Sequence, residues 1–546
     1  MPFSLAQVLD TVAAAIPDRE AVVVGRTRLT HGQLHERCRR LANYLLSRGL
    51  RVTAERSQLA GHESGQAHLA LYLYNSTAYL EGMFGAYKAR VAPLNVNYRY
   101  VEEELLYLFG NSQSRAVIYH AEFAPRIAAI RDQLPELDVL LQVADDSGNA
   151  LLPGAVDYEE ALAGASADEP ELETSPDDLY ILYTGGTTGM PKGVLWRADD
   201  IFVGAMGGRR QDRSLIEDAD ALAEAARNGT GGRSLCGAPL MHGAAQWATT
   251  NAFATGSTIV FDEQVKKFDA KSFLATAERE QVLAMGIVGD AFSRPLIDEI
   301  RAGQYDLSSV AMITSGGAPL SLAAKQALLE VLPKIVLIDG MGSSEGGTQG
   351  MSISTRGNIN AGNFNTVGDS VIVSEDLTRI LEPSDPSLGW LAMRGRMPLG
   401  YLGDAEKTQR TFPTIEGQRL SIPGDRARYR PEGGVDLLGR DSVCINSGGE
   451  KIFAEEVEEA LRGHPDIFDI TVAPRPSDRW GQEVVAVIAL REGAAADEQA
   501  LLAEAERHIA RYKLPKAFVF VDRIQRSPSG KADYRWAKAT AEAAQR

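Results

Sequence analysis

Across residues 3–332, short apolar runs that end near glycine or proline alternate with longer stretches of helical spacing. Residues 3–48 read as helix, strand and helix, with FSLAQVLDTVAAAI, EAVVVG and LTHGQLHERCRRLANYLLSRGL as the pieces. AHLALYLYN (67–75) reads as a strand, and the helix after it is capped by Ser76. AVIYH, VLLQVAD, GSTIVF, QVLAMGIV and VAMITSGG are further strands, and SLAAKQALLEVL (321–332) is a helix between them. Such alternation predicts an α/β fold with largely parallel sheets.

From about residue 367 the pattern changes to short strands, SVIVSEDL, GWLAMRG and GVDLLGR, joined by Gly, Pro and Asp turns. After Arg440 a small α+β unit begins: a helix around EEVEEALRG, strands DITVAP and EVVAVIALRE, and a helix from Asp497 to about Tyr512. The expected boundary separates residues 1–439 from 440–546.

The chain's 546 residues exceed one compact unit. The formal net charge is −17, the wrong sign for a nonspecific nucleic-acid binder. Cys38, Cys236 and Cys444 are scattered, which argues against a disulfide framework or zinc site and fits a reducing cytoplasm. The first residues lack the basic and apolar regions of a signal peptide. No apolar run is long enough to span a bilayer. Peripheral membrane contact and a homodimer stay open.

The densest local signal is LYILYTGGTTGMPKGVLW (179–196). An apolar strand runs into Thr184, Gly185, Gly186, Thr187, Thr188 and Gly189, and Lys192 follows Pro191. Glycines let backbone approach a ligand, and successive N–H groups with threonine hydroxyls form a concave anion site. Lys192 adds positive charge, so the segment suits a triphosphate. It is not a Walker A loop, which needs Lys directly after Gly and then Ser or Thr.

This segment closely resembles the phosphate-binding signature of the adenylate-forming superfamily: acyl-CoA synthetases, nonribosomal adenylation domains and luciferases. Gly185 stands where the family usually has Ser. Five more stretches resemble family motifs in the expected order. In DGMGSSEGG (339–347), the resemblance assigns nucleotide contacts to Asp339, Gly340, Met341, Gly342 and Ser344, and Mg2+ to Glu345. Met341 falls where an aromatic residue usually stacks on adenine. SGGAPLS (315–321) places Gly316, Gly317 and Ala318 between the nucleotide and acyl pockets. RLSIPGDRARY (419–429) offers Asp425 to the ribose hydroxyls, since a carboxylate can accept from two donors. LLGRDSVCINSGGEKIFAEEVEEAL (437–461) implies that Arg440 contacts ribose or phosphate, that Asp441 and Ser442 form a hinge, and that Ser447, Gly448 and Gly449 line the pantetheine path. RSPSGKADYR (526–535) ends the resemblance, and it implies that Lys531 bridges the attacking carboxylate and the α-phosphate. GYLGDAEKT (400–408) is a family landmark read as structural.

The resemblance implies a large N-terminal domain of stacked α/β subdomains plus a distorted β-barrel, and a small mobile C-terminal domain carrying the catalytic lysine. It implies an ATP-dependent carboxylate–CoA ligase that forms acyl-AMP and pyrophosphate, then acyl-CoA and AMP, using ATP, Mg2+ and coenzyme A. Lys531, Glu345 and Thr184 are the implied catalytic set. The acyl pocket is expected at APLMHGAAQWAT (238–249), walled by His242, Gln246 and Trp247 with Gly316 and Gly317. Small residues there suggest room for a bulky acid. The whole looks most like bacterial long-chain and steroid-side-chain acyl-CoA ligases, which favours a fatty or sterol-derived acid. An enzyme that loads a carrier-protein thiol, a luciferase-like monooxygenase and a non-catalytic acyl- or nucleotide-binding protein are the rivals.

Overall fold

The computed structural model describes the whole chain except residues 1, 185–189, 211, 361–363, 367–368, 432, 441–442, 448–449, 478–480, 496, 510, 527–529 and 545–546. Gly185, Gly186, Thr187, Thr188, Gly189, Asp441, Ser442, Gly448 and Gly449 therefore lie outside the described residues.

Two large sheets, mostly parallel, make up the bulk of the large N-terminal domain. In the eight-stranded sheet, Leu179–Thr184, Ala92–Asn95, His68–Tyr72, Ser114–His120, Val139–Val143 and Val156–Asp157 lie side by side and parallel. Lys192–Arg197 returns antiparallel beside Leu179–Thr184, and Gly400–Tyr401 adds an edge beyond it. In the nine-stranded sheet the parallel run is Val336–Ser343, Met312–Gly316, Ala284–Ile287, Arg233–Cys236, Thr258–Phe261 and Glu20–Val24. These strands are rich in Val, Ile and Leu and are largely buried, as sheets covered by helices on both faces require.

Local chemistry sets where the helices begin. Ser76 Oγ accepts from Tyr79 N–H at 3.3 Å and starts Thr77–Lys88. Ser4 with Gln7, and Thr30 with Gln33, form reciprocal capping boxes that start Leu5–Ala15 and His31–Ser47. The helix–strand–helix reading of 3–48 missed a strand: Thr27–Thr30 pairs antiparallel with Glu20–Val24 across a turn at Gly25. Thr27–Thr30 is a polar edge strand, so it carries no apolar run to read.

The third, barrel-like part of the N-terminal domain is a six-stranded antiparallel sheet, built from Ser370–Ser374, Gly389–Arg394, Thr414–Ile415, Gln418–Ser421, Asp425–Tyr429 and Val435–Arg440.

The small C-terminal domain has its own five-stranded sheet and core. Ile467–Ser477 and Gly481–Leu490 form its central hairpin, and Ala454–Arg462 and Tyr534–Ala543 pack on it. The helix expected from Asp497 to about Tyr512 stops at Glu506, and a 3-10 turn follows at Arg511–Lys513. Leaving the helix lets Ile509 and Leu514 both pack into the domain core. Among the described residues, no helix is long and apolar enough to cross a membrane.

Candidate active site

Ligands of open α/β sheets bind outside the carboxyl ends of the strands. Three of the sequence motifs sit at such ends here. Leu179–Thr184 delivers Thr184, Met312–Gly316 delivers Gly316 and Gly317, and Arg233–Cys236 leads to the segment 238–242.

Thr184 pairs with Lys192 across the hairpin, so the turn between them is closed by the register of the two strands. Buried Asn95 positions the end of the first strand. Its amide nitrogen donates to the carbonyls of Tyr183 (2.8 Å) and Met241 (2.6 Å), and its oxygen accepts from Tyr183 N–H. One amide thus ties the base of the anion loop to the residue before His242. Nothing in the sequence around Asn95 marks that role.

Glu345 lies in the turn between Val336–Ser343 and Gly347–Ser354, and it is buried. Gly342 makes that turn feasible, because a Cβ there would lie 2.3 Å from the carbonyl oxygen of Gly347. Three contacts hold the turn against the rest of the site. Trp196 Nε1 donates to the Ser344 carbonyl at 2.9 Å, and Ser421 Oγ donates to the Glu345 carbonyl at 2.5 Å. Tyr401 donates its hydroxyl to Glu345 Oε1 at 2.7 Å. Since Tyr401 pairs with Val194, the carboxylate is anchored to the strand that begins at Lys192.

Gly316 pairs with Gly340, and Ser315 with Asp339. Gly317 has φ +85°, and a Cβ added to it would meet no heavy atom within 4 Å. Gly317 is exposed, so the strand end at Gly316 opens to solvent there. Gly243 is different: its Cβ would meet Leu182 Cδ2 at 2.5 Å, so glycine there is demanded by packing. Asp339 forms a buried ion pair with Lys325 at 2.9 Å; burial raises its carboxyl pKa and Lys325 opposes the rise. Met341 packs with Ile372, Leu381, Leu391, Ala427 and Val435.

Gln246 and Trp247 are drawn into a buried polar network. Gln246 Nε2 donates to the Leu240 carbonyl and Tyr79 hydroxyl, Tyr180 donates to Gln246 Oε1, and Trp247 Nε1 donates to the Tyr180 hydroxyl. His242 stands at the start of the helix Gly243–Ala254, and its buried Nε2 has no hydrogen-bond partner among the described residues. Burial, then the charges of Lys531 and Arg99, lowers its pKa to about 3, so the ring is a neutral imidazole.

Lys531 is near enough to His242 for its charge to bear on the ring. The chain at Gly530 comes so close to the N-terminal domain that a Cβ there would lie 3.2 Å from Ala291 Cβ and Val288 Cγ1. Arg526 donates to the Gly530 carbonyl and pairs with Asp469, which braces the turn that carries Lys531. Asp425 lies directly opposite Arg440 in the ladder, after Gly424 at φ +105°. Arg440 is described by its backbone only. Ser447 is buried at the end of Cys444–Ser447.

Thr184 and Lys192 thus face each other across one hairpin, Glu345 is anchored to the strand that begins at Lys192, and the small domain brings Gly530 and Lys531 against the N-terminal domain. Residues 9–397 match the model of the AMP-binding enzyme family, and residues 456–531 match that family's C-terminal domain. The chain belongs to the AMP-binding enzymes. It is 54% identical over 537 residues to the medium-chain acyl-CoA ligase Mig of Mycobacterium avium, covering 98% of each chain. It is 39% identical over 546 residues to a medium/long-chain-fatty-acid/3-oxocholest-4-en-26-oate CoA ligase of Mycolicibacterium smegmatis, covering 98% of this chain and 96% of the relative. In fold it is similar to the anthranilate CoA ligase AuaEII in complex with anthranoyl-AMP, with TM-score 0.83 and 19% identity over 100% of this chain and 98% of that one.

Proposed function

We propose that this acid–thiol ligase joins a medium- or long-chain fatty acid, or a steroid-side-chain acid, to coenzyme A in two steps at one site. A carboxylate is a poor electrophile. In the first step one of its oxygens bonds to the α-phosphorus of ATP, the bond to the bridging oxygen breaks, and pyrophosphate leaves with the electron pair. In the second the CoA thiolate attacks the acyl carbon and AMP departs.

Thr184, the loop after it, Lys192 and Lys531 stabilise the negative charge that builds up at the phosphates. Asp425 takes the ribose hydroxyls, with Arg440 beside it. Glu345 fits Mg2+, a hard ion held by one or two carboxylates together with phosphate oxygens. When bound, Mg2+ neutralises phosphate oxygen charge. The small domain, bounded near residue 440, turns about Asp441 and Ser442. Lys531 faces ATP in the first step, and Ser447, Gly448 and Gly449 face the thiol's path in the second.

What supports this reading is that Tyr401, paired with the strand that begins at Lys192, holds the Glu345 carboxylate, while the turn before Lys531 packs on residues 288–291 of the N-terminal domain. The substrate class rests on the acids that the relatives' names give.

Acid-dependent ATP–pyrophosphate exchange tests the reading, run with fatty acids of graded length, a steroid-side-chain acid, acetate and an amino acid. The expected result is exchange with the first two groups, and acyl-CoA on adding coenzyme A but no acyl transfer to a holo-carrier protein. A purified chain that exchanges pyrophosphate with none of these acids overturns it.

A further inference from the structure

The segment GYLGDAEKT reads as structural in the sequence, and most of it is. Asp404 caps the helix Ala405–Thr411 by accepting from Lys407 N–H, and Thr408 Oγ1 accepts from Tyr401 N–H at 2.9 Å while donating to the Asp404 carbonyl at 2.7 Å. Leu402 N–H donates to the Gly193 carbonyl at 2.8 Å. The helix is thereby fixed beside the start of the strand Lys192–Arg197.

Lys407 is the residue this scaffold aims at the site. Its Nζ sits 4.5 Å from the centroid of the Tyr401 ring, whose hydroxyl holds Glu345. Its charge also bears on that of Lys192, whose chain neighbour Gly193 takes the Leu402 N–H. Two ammonium groups are thus held together next to the carboxylate expected to carry Mg2+.

We propose that Lys407 is a second cation of the phosphate cradle, contacting the outer phosphates of ATP and the pyrophosphate as it leaves. This rests on the adenylating reaction proposed above and adds a residue to it.

The electrostatics agree. Burial, and then the neighbouring Lys192, lowers the Lys407 pKa to about 8, while Glu345 and Asp404 act to raise it. Like charges pressed together are costly, and a polyanion between them relieves the repulsion. As the bond between the α-phosphorus and the bridging oxygen breaks, charge grows on pyrophosphate, and a point charge there favours departure.

Lys407→Met, which keeps the aliphatic stem over Tyr401, is compared with Lys407→Arg and the unaltered chain. Three quantities are read: KM for ATP in acid-dependent exchange, inhibition by pyrophosphate, and thiolation of preformed acyl-AMP, in which no pyrophosphate takes part. Loss of one charge-assisted contact predicts a rise of about tenfold to hundredfold in KM for ATP and a similar weakening of pyrophosphate inhibition in Lys407→Met. Thiolation stays within about twofold, and Lys407→Arg recovers most of the loss. Unchanged KM and unchanged inhibition in Lys407→Met overturn the proposal. So does an equal fall in both half-reactions, which marks a scaffold residue. If Lys407→Met does not fold, the same readouts on Lys407→Gln decide. The two readings fail differently: an unaltered chain that never exchanges pyrophosphate sinks the proposed function, whereas an active chain indifferent to Lys407→Met sinks this inference alone.

Discussion

Nε of Arg462, on the first helix of the C-terminal domain, lies 3.8 Å from Oδ2 of Asp290 in the N-terminal domain. Both side chains are buried and belong to a larger network. Asp290 pairs with Arg294 at 3.1 Å and accepts from Ser321 N–H at 2.8 Å, and Arg462 pairs with Glu458 at 3.0 Å. Gly530 packs against residues 288–291 beside this pair, so the contact stands next to the turn that presents Lys531.

Asp290→Asn should therefore weaken the docking that brings Lys531 to ATP. The expected result is a fall of about tenfold in acid-dependent exchange, the factor set by ~1.4 kcal/mol of lost docking energy. Thiolation of preformed acyl-AMP should hold within twofold. Single-turnover assays of the two halves measure the split.

Lys531→Ala should all but abolish adenylation, by about a hundredfold or more, as removal of a group that meets transition-state charge does. Thiolation from preformed acyl-AMP should be spared. Equal loss in both halves would contradict a domain that turns between steps.

Glu345→Gln should lower adenylation by about a hundredfold and raise the Mg2+ concentration needed for half-maximal rate. Tyr401→Phe removes one donor from the same carboxylate and should have a smaller effect in the same direction, about tenfold. A Mg2+ titration of both variants orders them.

Gly342→Ala places a Cβ 2.3 Å from the Gly347 carbonyl oxygen, and its three nearest atoms are all backbone. The turn has to open, which displaces Glu345. Exchange activity is expected to fall as in Glu345→Gln although every catalytic side chain is retained, with circular dichroism confirming a folded chain.

His31, His120 and His242 are kept neutral chiefly by burial, their pKa values falling from 6.5 to about 4, about 4 and about 3. Below pH 6.5 the unfolded chain takes up protons that the folded chain refuses until the lower values. Their contribution is intact above pH 6.5 and is lost as pH falls towards 4, by up to about 1.4 kcal/mol per pH unit for each ring. His31 lies tilted against Phe253 with ring centroids 4.8 Å apart, and neither ring nitrogen has a partner among the described residues. His31→Leu should flatten the fall in urea midpoint between pH 7 and pH 5 relative to the unaltered chain.

The parallel strands, their helices and the small final domain were readable because apolar periodicity and cap residues act over a few neighbours. Ser76 starts its helix by bonding three residues ahead, which a one-dimensional pattern can express. The polar edge strand Thr27–Thr30 was not readable, since its pairing depends on the strand before it. Candidate site residues could be named from the order of the motifs, yet Lys407 stood inside one of those motifs and passed as scaffold. Asn95 and Trp196 carried no signal, because each acts through backbone groups far along the chain.

Residue identity alone settled what backbone and side chains could offer: glycines where the chain must turn tightly, threonine hydroxyls, and isolated acids and lysines with particular charges. Their chemistry is local, so it can be read without coordinates. Folding settled which of them meet. Tyr401 with Glu345, Lys407 with Lys192, and Arg462 with Asp290 are joined by register between strands and packing between domains. Such contacts form only when segments separated by tens to hundreds of residues are buried against one another.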